Sequence, residues 1–516
     1  GVDKNPLAVE MAKLSLWLVT LAKGRPFTFL DHALKWGDSL LGITRAEQIE
    51  YLNLNPDNEV VQYPIASQIW RPILQDAIAK RRKLESFSVN GIEDLQEKER
   101  LFQEAERAID RLRFVGDYLI GRALADAGKT SDLTTEDLMV VSQRIEQELE
   151  GKATEEQTRD ITALKASAER MLNLGNPANQ PPRKPFHWLL EFPEVFLEGE
   201  TKGFAAIVGN PPFQGAGKIS DAIGGNYREY LVERIANGQR GSADLCAYFF
   251  LQAGKLIERE GHFGLVATNT IAQGDTREVG LEQLVTDGCT ITRAIPSRPW
   301  SGTANLEVAY VWIYNGNWFG TRSLENNLVT SITPFLTTPG KSLGKPHQLF
   351  LNSNKAFKGH NVYGMGFVLE TKEAQALIES NKLNRNVLFP YITGQDLNSR
   401  FDQSPSRWII NFRDWSLDAA LSYSDILSIV EQRVKPERSE NKRGSRRERW
   451  WLYGDYAIGL ERTIKDMRRV LVRSRVSNIN SIAFVPNGVV ISEAAIVFAF
   501  EDFAAFATLQ GVAHNE

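Results

Sequence analysis

Asn210-Pro211-Pro212-Phe213 stands at the end of the apolar run 204–208. Successive prolines restrict their own φ and the residue before each of them. The Asn210 amide oxygen and the Pro211 carbonyl are therefore aimed in advance, and Phe213 adds a π face. Two acceptors beside an aromatic ring suit a planar amine such as the exocyclic amine of adenine. An aryl amine is a poor nucleophile because its lone pair is delocalised into the ring. Acceptors on its two N–H groups favour the pyramidal, attacking geometry and stabilise charge developing in the transition state. Methyl transfer to that nitrogen is the leading reading. A proline-stiffened loop without a ligand is the plain alternative.

In a doubly wound sheet, ligands bind at the C-terminal ends of the strands. Asp3 and Asp38 fall at two such ends, in Gly1-Val2-Asp3-Lys4-Asn5-Pro6 and Gly37-Asp38-Ser39-Leu40-Leu41-Gly42. One carboxylate can accept from both hydroxyls of a ribose. A second, one strand on, can accept from an adenine amine. Each Asp alone reads equally as a turn or helix-cap residue.

The elements that position these groups follow from the periodicity. Runs 204–208, 261–268, 290–295 and 308–314 read as strands, with a helix over 242–260 between the first two. Strands alternating with helices predict an α/β fold with a largely parallel, doubly wound sheet. The last two runs are close together and predict an antiparallel finish. Residues 68–175 are different: Leu95, Phe102 and Ile109 recur every seven residues, with Ala105, Leu112 and Leu119 as a second row. That pattern predicts a helical hairpin inserted into the α/β domain. A structural arm is its plain reading, and a DNA-clamping arm the sharper one. The expected domains are 1–67, the arm 68–175, a catalytic part 176–330 and a second domain 331–516. In that last domain the 388–397 and 406–412 stretches read as strand-and-turn pieces. Residues 433–449 hold eight Lys/Arg against three Glu, and Trp450, Trp451 and Tyr453 follow as core or as a stacking platform.

The chain has 516 residues, 42% hydrophobic and 24% charged, with a net charge of −4. That excludes a uniformly basic nucleic-acid binder but not a local basic face. Two cysteines, Cys246 and Cys289, fit a reducing compartment and exclude a disulfide framework or a Cys-based zinc site. No metal site is expected, and Cys246 reads as a buried small side chain. No apolar run of about 18 residues is present, so no membrane span is expected.

Residues 208–213 resemble the catalytic motif of adenine-specific DNA methyltransferases that use S-adenosylmethionine. Residues 1–6 resemble the acidic ribose-binding motif of that family, and 37–42 the next one, whose Asp meets the adenine of the cofactor. Phe186-His187-Trp188 with residues 192–196 is similar to the lead-in to the catalytic strand in the large methylases of restriction-modification systems, and 267–275 to the strand and loop that follow. The motif order is that of the gamma arrangement, closest to the methylase portion of single-chain Type IIG enzymes.

The resemblance implies a Rossmann-like class I methyltransferase sheet, incomplete at its N-terminus, with an inserted helical arm and a C-terminal α+β target-recognition domain. It implies catalysis by Asn210, Pro211, Pro212 and Phe213, and S-adenosylmethionine on Asp3, Lys4, Asp38 and Ser39. Double-stranded DNA would lie on Trp300, Arg407, Arg413, Arg443, Arg446 and Arg447, with Trp300 as a second base-stacking aromatic on the 297–302 loop. The target adenine would be flipped from the duplex. The Gly-rich loop of the family and the first strand and helix are expected upstream of Gly1, so the chain reads as a fragment of a bacterial or archaeal cytoplasmic protein. Alternatives are methylation of an RNA base or a protein glutamine, or a non-catalytic DNA-specificity or scaffold subunit.

Overall fold

The computed structural model describes residues 1–20, 30–56, 67–86, 91–127, 135–151, 154–198, 202–301, 306–340, 349–439, 441, 444–477 and 480–511. The chain divides into two compact units, Gly1–Leu343 and Gly344–Glu516.

The first unit opens with β1 (Val2–Asp3), α1 (Pro6–Thr20) and β2 (Lys35–Trp36). The two strands pair in parallel, with Asp3 opposite Trp36. The helices α2 (Ala46–Glu50), α3 (Ser67–Ser86), α4 (Ile92–Asp126), α5 (Thr135–Glu150) and α6 (Glu155–Leu172) follow. On α4 the row Ala105, Leu112 and Leu119 is buried, and α4 packs against α3 and α6. Gly116, inside α4, gives up helix propensity. A Cβ there would stand 2.5 Å from the ring of His187.

The lead-in helices α7 (Trp188–Glu191) and α8 (Pro193–Leu197) precede β3 (Phe204–Gly209), α9 (Ala216–Ile223), α10 (Gly225–Tyr230), α11 (Leu245–Leu256) and β4 (Ile257–Thr268). The short helices α12 (Gly274–Arg277) and α13 (Gln283–Thr286) lead to β5 (Thr290–Pro299), β6 (Glu307–Tyr314), β7 (Arg322–Leu324) and β8 (Asn327–Val329). These strands form one sheet in the order β3-β4-β6-β5-β7-β8. Only β3–β4 and β5–β7 pair in parallel. β6 enters antiparallel between β4 and β5, so the sheet is more mixed than the strand–helix alternation predicts. α11 stops four residues earlier than its apolar pattern predicts, because Ile257 pairs with Phe204 and begins β4. β3 lies at the sheet edge, with Val208 86% exposed.

The second unit holds β9 (Ala356–Lys358), β10 (Val368–Leu369), α14 (Thr371–Ser380), β11 (Leu388–Ile392), α15 (Gly394–Ser399) and β12 (Arg407–Ile410). It continues with α16 (Leu417–Leu421), α17 (Ser424–Arg433), α18 (Lys435–Ser439), α19 (Gly444–Glu448) and α20 (Ile458–Ile464). It ends with β13 (Arg469–Ser474), β14 (Ile482–Pro486), β15 (Val490–Ile491), β16 (Ala495–Phe498) and α21 (Phe503–Gln510). Two four-stranded sheets result, β10-β12-β11-β15 and β14-β13-β16-β9. Trp450, Trp451 and Tyr453 are core residues. Among the described residues, no helix is long and apolar enough to cross a membrane.

The base of the α3–α6 bundle is tied to the lead-in by buried charge. Glu191 accepts from Lys35 Nζ at 2.6 Å and from Arg113 Nε at 2.8 Å. Glu106 joins both cations, at 3.0 Å from Lys35. Burial alone would raise the Glu191 pKa, but the charges of Lys35 and Arg113 outweigh it and bring it down to about 2. With the folded value below the unfolded one, this contribution is in place above the ordinary glutamate range and is lost as pH falls towards 2. A depression of that size corresponds to about 3 kcal/mol. Glu191→Gln is therefore expected to lower stability by about 3 kcal/mol at pH 7 in urea titrations. The gap from the unmodified protein should narrow between about pH 4.5 and 3; a gap independent of pH would show that the charge of Glu191 does not hold this junction.

Candidate active site

The C-terminal ends of β3, β4 and β5 and the start of β6 meet on one edge of the sheet. Gly209 is in register with Leu265, Thr268 with Val308, and Pro299 with Glu307. That edge gathers Asn210, Asn269, Trp300 and Glu307. Asn210 is exposed, Pro211 is buried, and Phe213 is half-buried. Neither the Asn210 amide nor the Pro211 carbonyl has a hydrogen-bond partner among the described residues. The turn is anchored just beyond them, where Leu245 N at the start of α11 donates to Gln214 O at 3.0 Å. Asp244 caps that helix through Cys246 N.

The structure brings Trp300 to Phe213. Their ring centroids are 6.3 Å apart with planes at 90°, an edge-to-face pair within the favourable range. A bulge in β5 between Ile295 and Arg298 turns the strand end, and Trp300 N donates to Leu306 O at 2.8 Å. Ser297, in the bulge, donates to Glu307 at 2.7 Å and accepts from Asn269 at 3.4 Å. The pair and the two unpartnered acceptors therefore share one edge.

Asp3 and Asp38 lie on the adjoining strand ends of β1 and β2. Asp3 is exposed; its Oδ1 accepts from Asn5 N at 2.7 Å. Its other oxygen has no partner among the described residues, so Asp3 fits the acceptor role towards a ribose. Asp38 is different. It is 6% exposed, and its carboxylate accepts from Tyr227 OH at 2.6 Å and Leu40 N at 3.3 Å. Lys4 pairs with its other oxygen at 3.3 Å. A carboxylate has about four acceptor sites, so little capacity is left for an adenine amine. Lys4 thus completes Asp38, and Ser39 contributes a carbonyl that accepts from Trp188 Nε1 at 3.0 Å. Gly42 closes the segment at φ +151, where a Cβ would meet the Phe186 carbonyl at 2.0 Å.

Tyr227 was not singled out by spacing or composition; its one sequence signal is the i, i+3 pair with Tyr230. Burial first, and then the Asp38 charge, push its pKa far up, so it stays a donor. Arg183 lies 5.6 Å from the ring of Tyr227 and is held by the carbonyls of Leu172, Leu174 and Ile223. Cys246 is buried, its thiol pushed up by burial and by Asp244.

In the second unit Arg407 is half-buried on β12. Arg413, at φ +54, stands between the rings of Phe389 (5.5 Å) and Trp415 (5.2 Å). Arg446 stacks on Tyr363 at 4.0 Å, and Arg447 is exposed and donates to Asn441 O. Arg443 lies outside the described residues. The charge run also contains Arg438, which is 1% exposed and donates to the carbonyls of Trp450, Leu452, Val362 and Tyr363. That residue is a structural clasp.

Residues 1–295 match the Eco57I restriction-modification methylase family, and the chain belongs to it. S-adenosylmethionine is the methyl donor of such a methylase. The chain is 26% identical over 288 residues to a protein of Methanocaldococcus jannaschii described as a candidate type II restriction enzyme and methyltransferase. That match takes in 53% of this chain and 22% of the relative. In fold, the chain is similar to the Type IIL restriction-modification enzyme MmeI, solved in complex with DNA. The TM-score is 0.52 at 15% identity, over 92% of this chain and 66% of that one.

Removing the Tyr227 hydroxyl leaves a buried carboxylate short of its closest donor. Tyr227→Phe is expected to cost about 1–3 kcal/mol in urea denaturation, the range for a hydrogen bond to a charged group. Unchanged stability would mean that Lys4 and Leu40 hold Asp38 unaided.

Proposed function

We propose that this chain carries out methylation of the N6 amine of adenine in a specific DNA sequence, as the methylase portion of a restriction-modification enzyme. The observation that carries this reading is the pairing of two acceptors unpartnered among the described residues, on Asn210 and Pro211, with the Phe213–Trp300 aromatic pair on the same sheet edge. When bound, S-adenosylmethionine supplies a methyl group on a sulfonium, open to direct attack by nitrogen. Asn210 Oδ1 and the Pro211 carbonyl accept the two N–H groups of the amine and turn its lone pair towards that methyl. Pro212 keeps the turn stiff. One ring of the perpendicular Phe213–Trp300 pair stacks on the flipped base and the other meets its edge, since the base has no neighbours once out of the helix. Asp3 accepts from the ribose of the donor, and Asp38 with Lys4 and Ser39 shapes the adjoining wall.

DNA is favoured over RNA or protein by family membership and by the arginines that the second unit presents. In that unit Arg413 and Arg407 are candidates for base edges, and Arg446 and Arg447 for phosphates.

The test uses the full-length parent protein with labelled S-adenosylmethionine and, separately, duplex DNA, RNA and protein. Label is expected in DNA adenine, and Asn210→Ala should lower its rate about 100-fold or more, as loss of one preorganised transition-state contact does. Trp300→Ala should weaken substrate binding by about 1–3 kcal/mol, the value of one base–aromatic stack. Label in RNA or protein instead of DNA, or a rate indifferent to Asn210→Ala, would overturn the reading.

A further inference from the structure

A cavity of about 340 Å³ lies in the first unit, away from the transfer edge. It is lined by the last turn of α11, the π-helical turn Leu231–Ile235 and the segment around α2. The catalytic turn is anchored at Leu245, the first residue of α11, whereas the cavity takes Gln252 and Lys255 from its other end. Ten residues of helix separate Leu245 from Lys255, a rise of about 15 Å. Along α11 the two sites are therefore separated by about that distance.

The lining is cationic and amidic. Arg45, Arg234 and Lys255 contribute to it, with Gln48, Asn55 and Gln252, and no Asp or Glu is among its lining residues. Arg234 donates to the Asn55 amide oxygen at 3.0 Å, in the orientation that satisfies both amide atoms of Asn55. Lys255 Nζ donates to the carbonyls of Arg234 and Ile235, at 2.9 and 3.1 Å. Two of its three N–H groups are used. Lys255 keeps solvent-accessible area, yet the dense surround of its ammonium pushes its pKa down to about 8. Gln48 is fully engaged with Thr44 N, Arg45 N and Leu54 O and makes a fixed wall. Gln252 is 3% exposed, and neither its amide oxygen nor its amide nitrogen has a partner among the described residues. An unsatisfied buried amide costs about 1–3 kcal/mol unless something answers it.

We propose that this cavity binds a small phosphorylated molecule, with its phosphate on Arg234 and Lys255. The organic part meets Gln252 through an adjacent donor and acceptor, as the edge of a nucleobase presents. Arg45 is paired with Glu47 at 3.4 Å, whereas Arg234 and Lys255 form no carboxylate ion pair among the described residues, which leaves them suited to phosphate oxygens. A glutamine amide offers one donor next to one acceptor, which such an edge matches in a bidentate pair. The volume lies at the lower end of the range for small-ligand pockets, about 300–1,000 Å³.

Calorimetric titration of the full chain with uridine monophosphate, inorganic pyrophosphate and uridine tests this. Uridine monophosphate avoids the adenine-selective donor site. It and pyrophosphate are expected to bind and uridine is not, and added S-adenosylmethionine should leave the affinities unchanged. Arg234→Gln should weaken both anions at least about tenfold, a loss of 1.4 kcal/mol. Gln252→Leu should weaken uridine monophosphate and spare pyrophosphate. Should Arg234→Gln fail to fold, Lys255→Gln, the other phosphate ligand of the proposal, serves in its place. No binding of either phosphate at about 1 mM, or affinities indifferent to that substitution, would overturn the proposal. Uridine monophosphate binding no tighter than pyrophosphate would remove Gln252 from it.

Discussion

The buried carboxylate of Asp38 is the constraint around which the first unit is arranged. A carboxylate that is 6% exposed is tolerable only if its oxygens are answered. The answers come from three separate parts of the chain: Lys4 after β1, Leu40 in its own loop, and Tyr227 on α10. Its backbone is equally engaged, donating to Lys184 O and accepting from Phe186 N. The bridge between Asp38 and Pro185 joins the short β1–β2 sheet to the lead-in of β3. One charge thus fixes the relative position of two strand ends, the lead-in and α10. The exposed Asp3 owes its placement to the same set, since Gly37 N donates to Asp3 O beside it.

The transfer edge works on a different principle. Here the Asn210 amide and the Pro211 carbonyl are without partners among the described residues, and the backbone carries the order of their turn. Pro211 is buried and Pro212 restrains it, so the backbone at Asn210 and the Pro211 carbonyl are held near one orientation without a hydrogen bond of their own. On the facing side, Trp300 is held by the β5 bulge, the Leu306 carbonyl and the Ser297–Glu307 bond, leaving its ring free to meet Phe213. Acceptors preorganised in this way lose little on reorganisation when charge develops on a bound amine.

Local patterns were the legible part. The Asn-Pro-Pro-Phe turn, the strand-like run before it and the buried row on α4 follow from residue type and period, because each depends on neighbours along the chain. The capping pattern Thr393-x-x-Asp396 was also there to be read: Thr393 and Asp396 exchange hydrogen bonds and start α15, where strand-and-turn structure was expected. What stayed illegible depends on distant partners. Nothing near Arg438 in sequence announces the four carbonyls that bury it, and nothing near Tyr227 announces Asp38, 189 positions away. The antiparallel pairing of β5 with β6 was legible from their closeness in the chain, but the insertion of β6 between β4 and β5 is a matter of pairing, which hydropathy does not encode.

The helical insertion shows how such long-range pairing bears on function. A clamp that swings onto a ligand needs a weakly tied base. The base of this bundle is strongly tied. Glu106 and Arg113 on α4 close a buried four-charge network with Lys35 of β2 and Glu191 of α7. One turn further, His187 lies over Gly116 and accepts from Ile43 N at Nδ1, so its Nε2 carries the proton and donates to Asp117. Both contacts lie on the path from Asp38 to β3. A shift of α4 would have to move the lead-in and the second strand with it, and with them the wall beside Asp3. The packing therefore favours the arm as a brace that sets the spacing between the two acidic strand ends and β3, over an arm that moves independently of them.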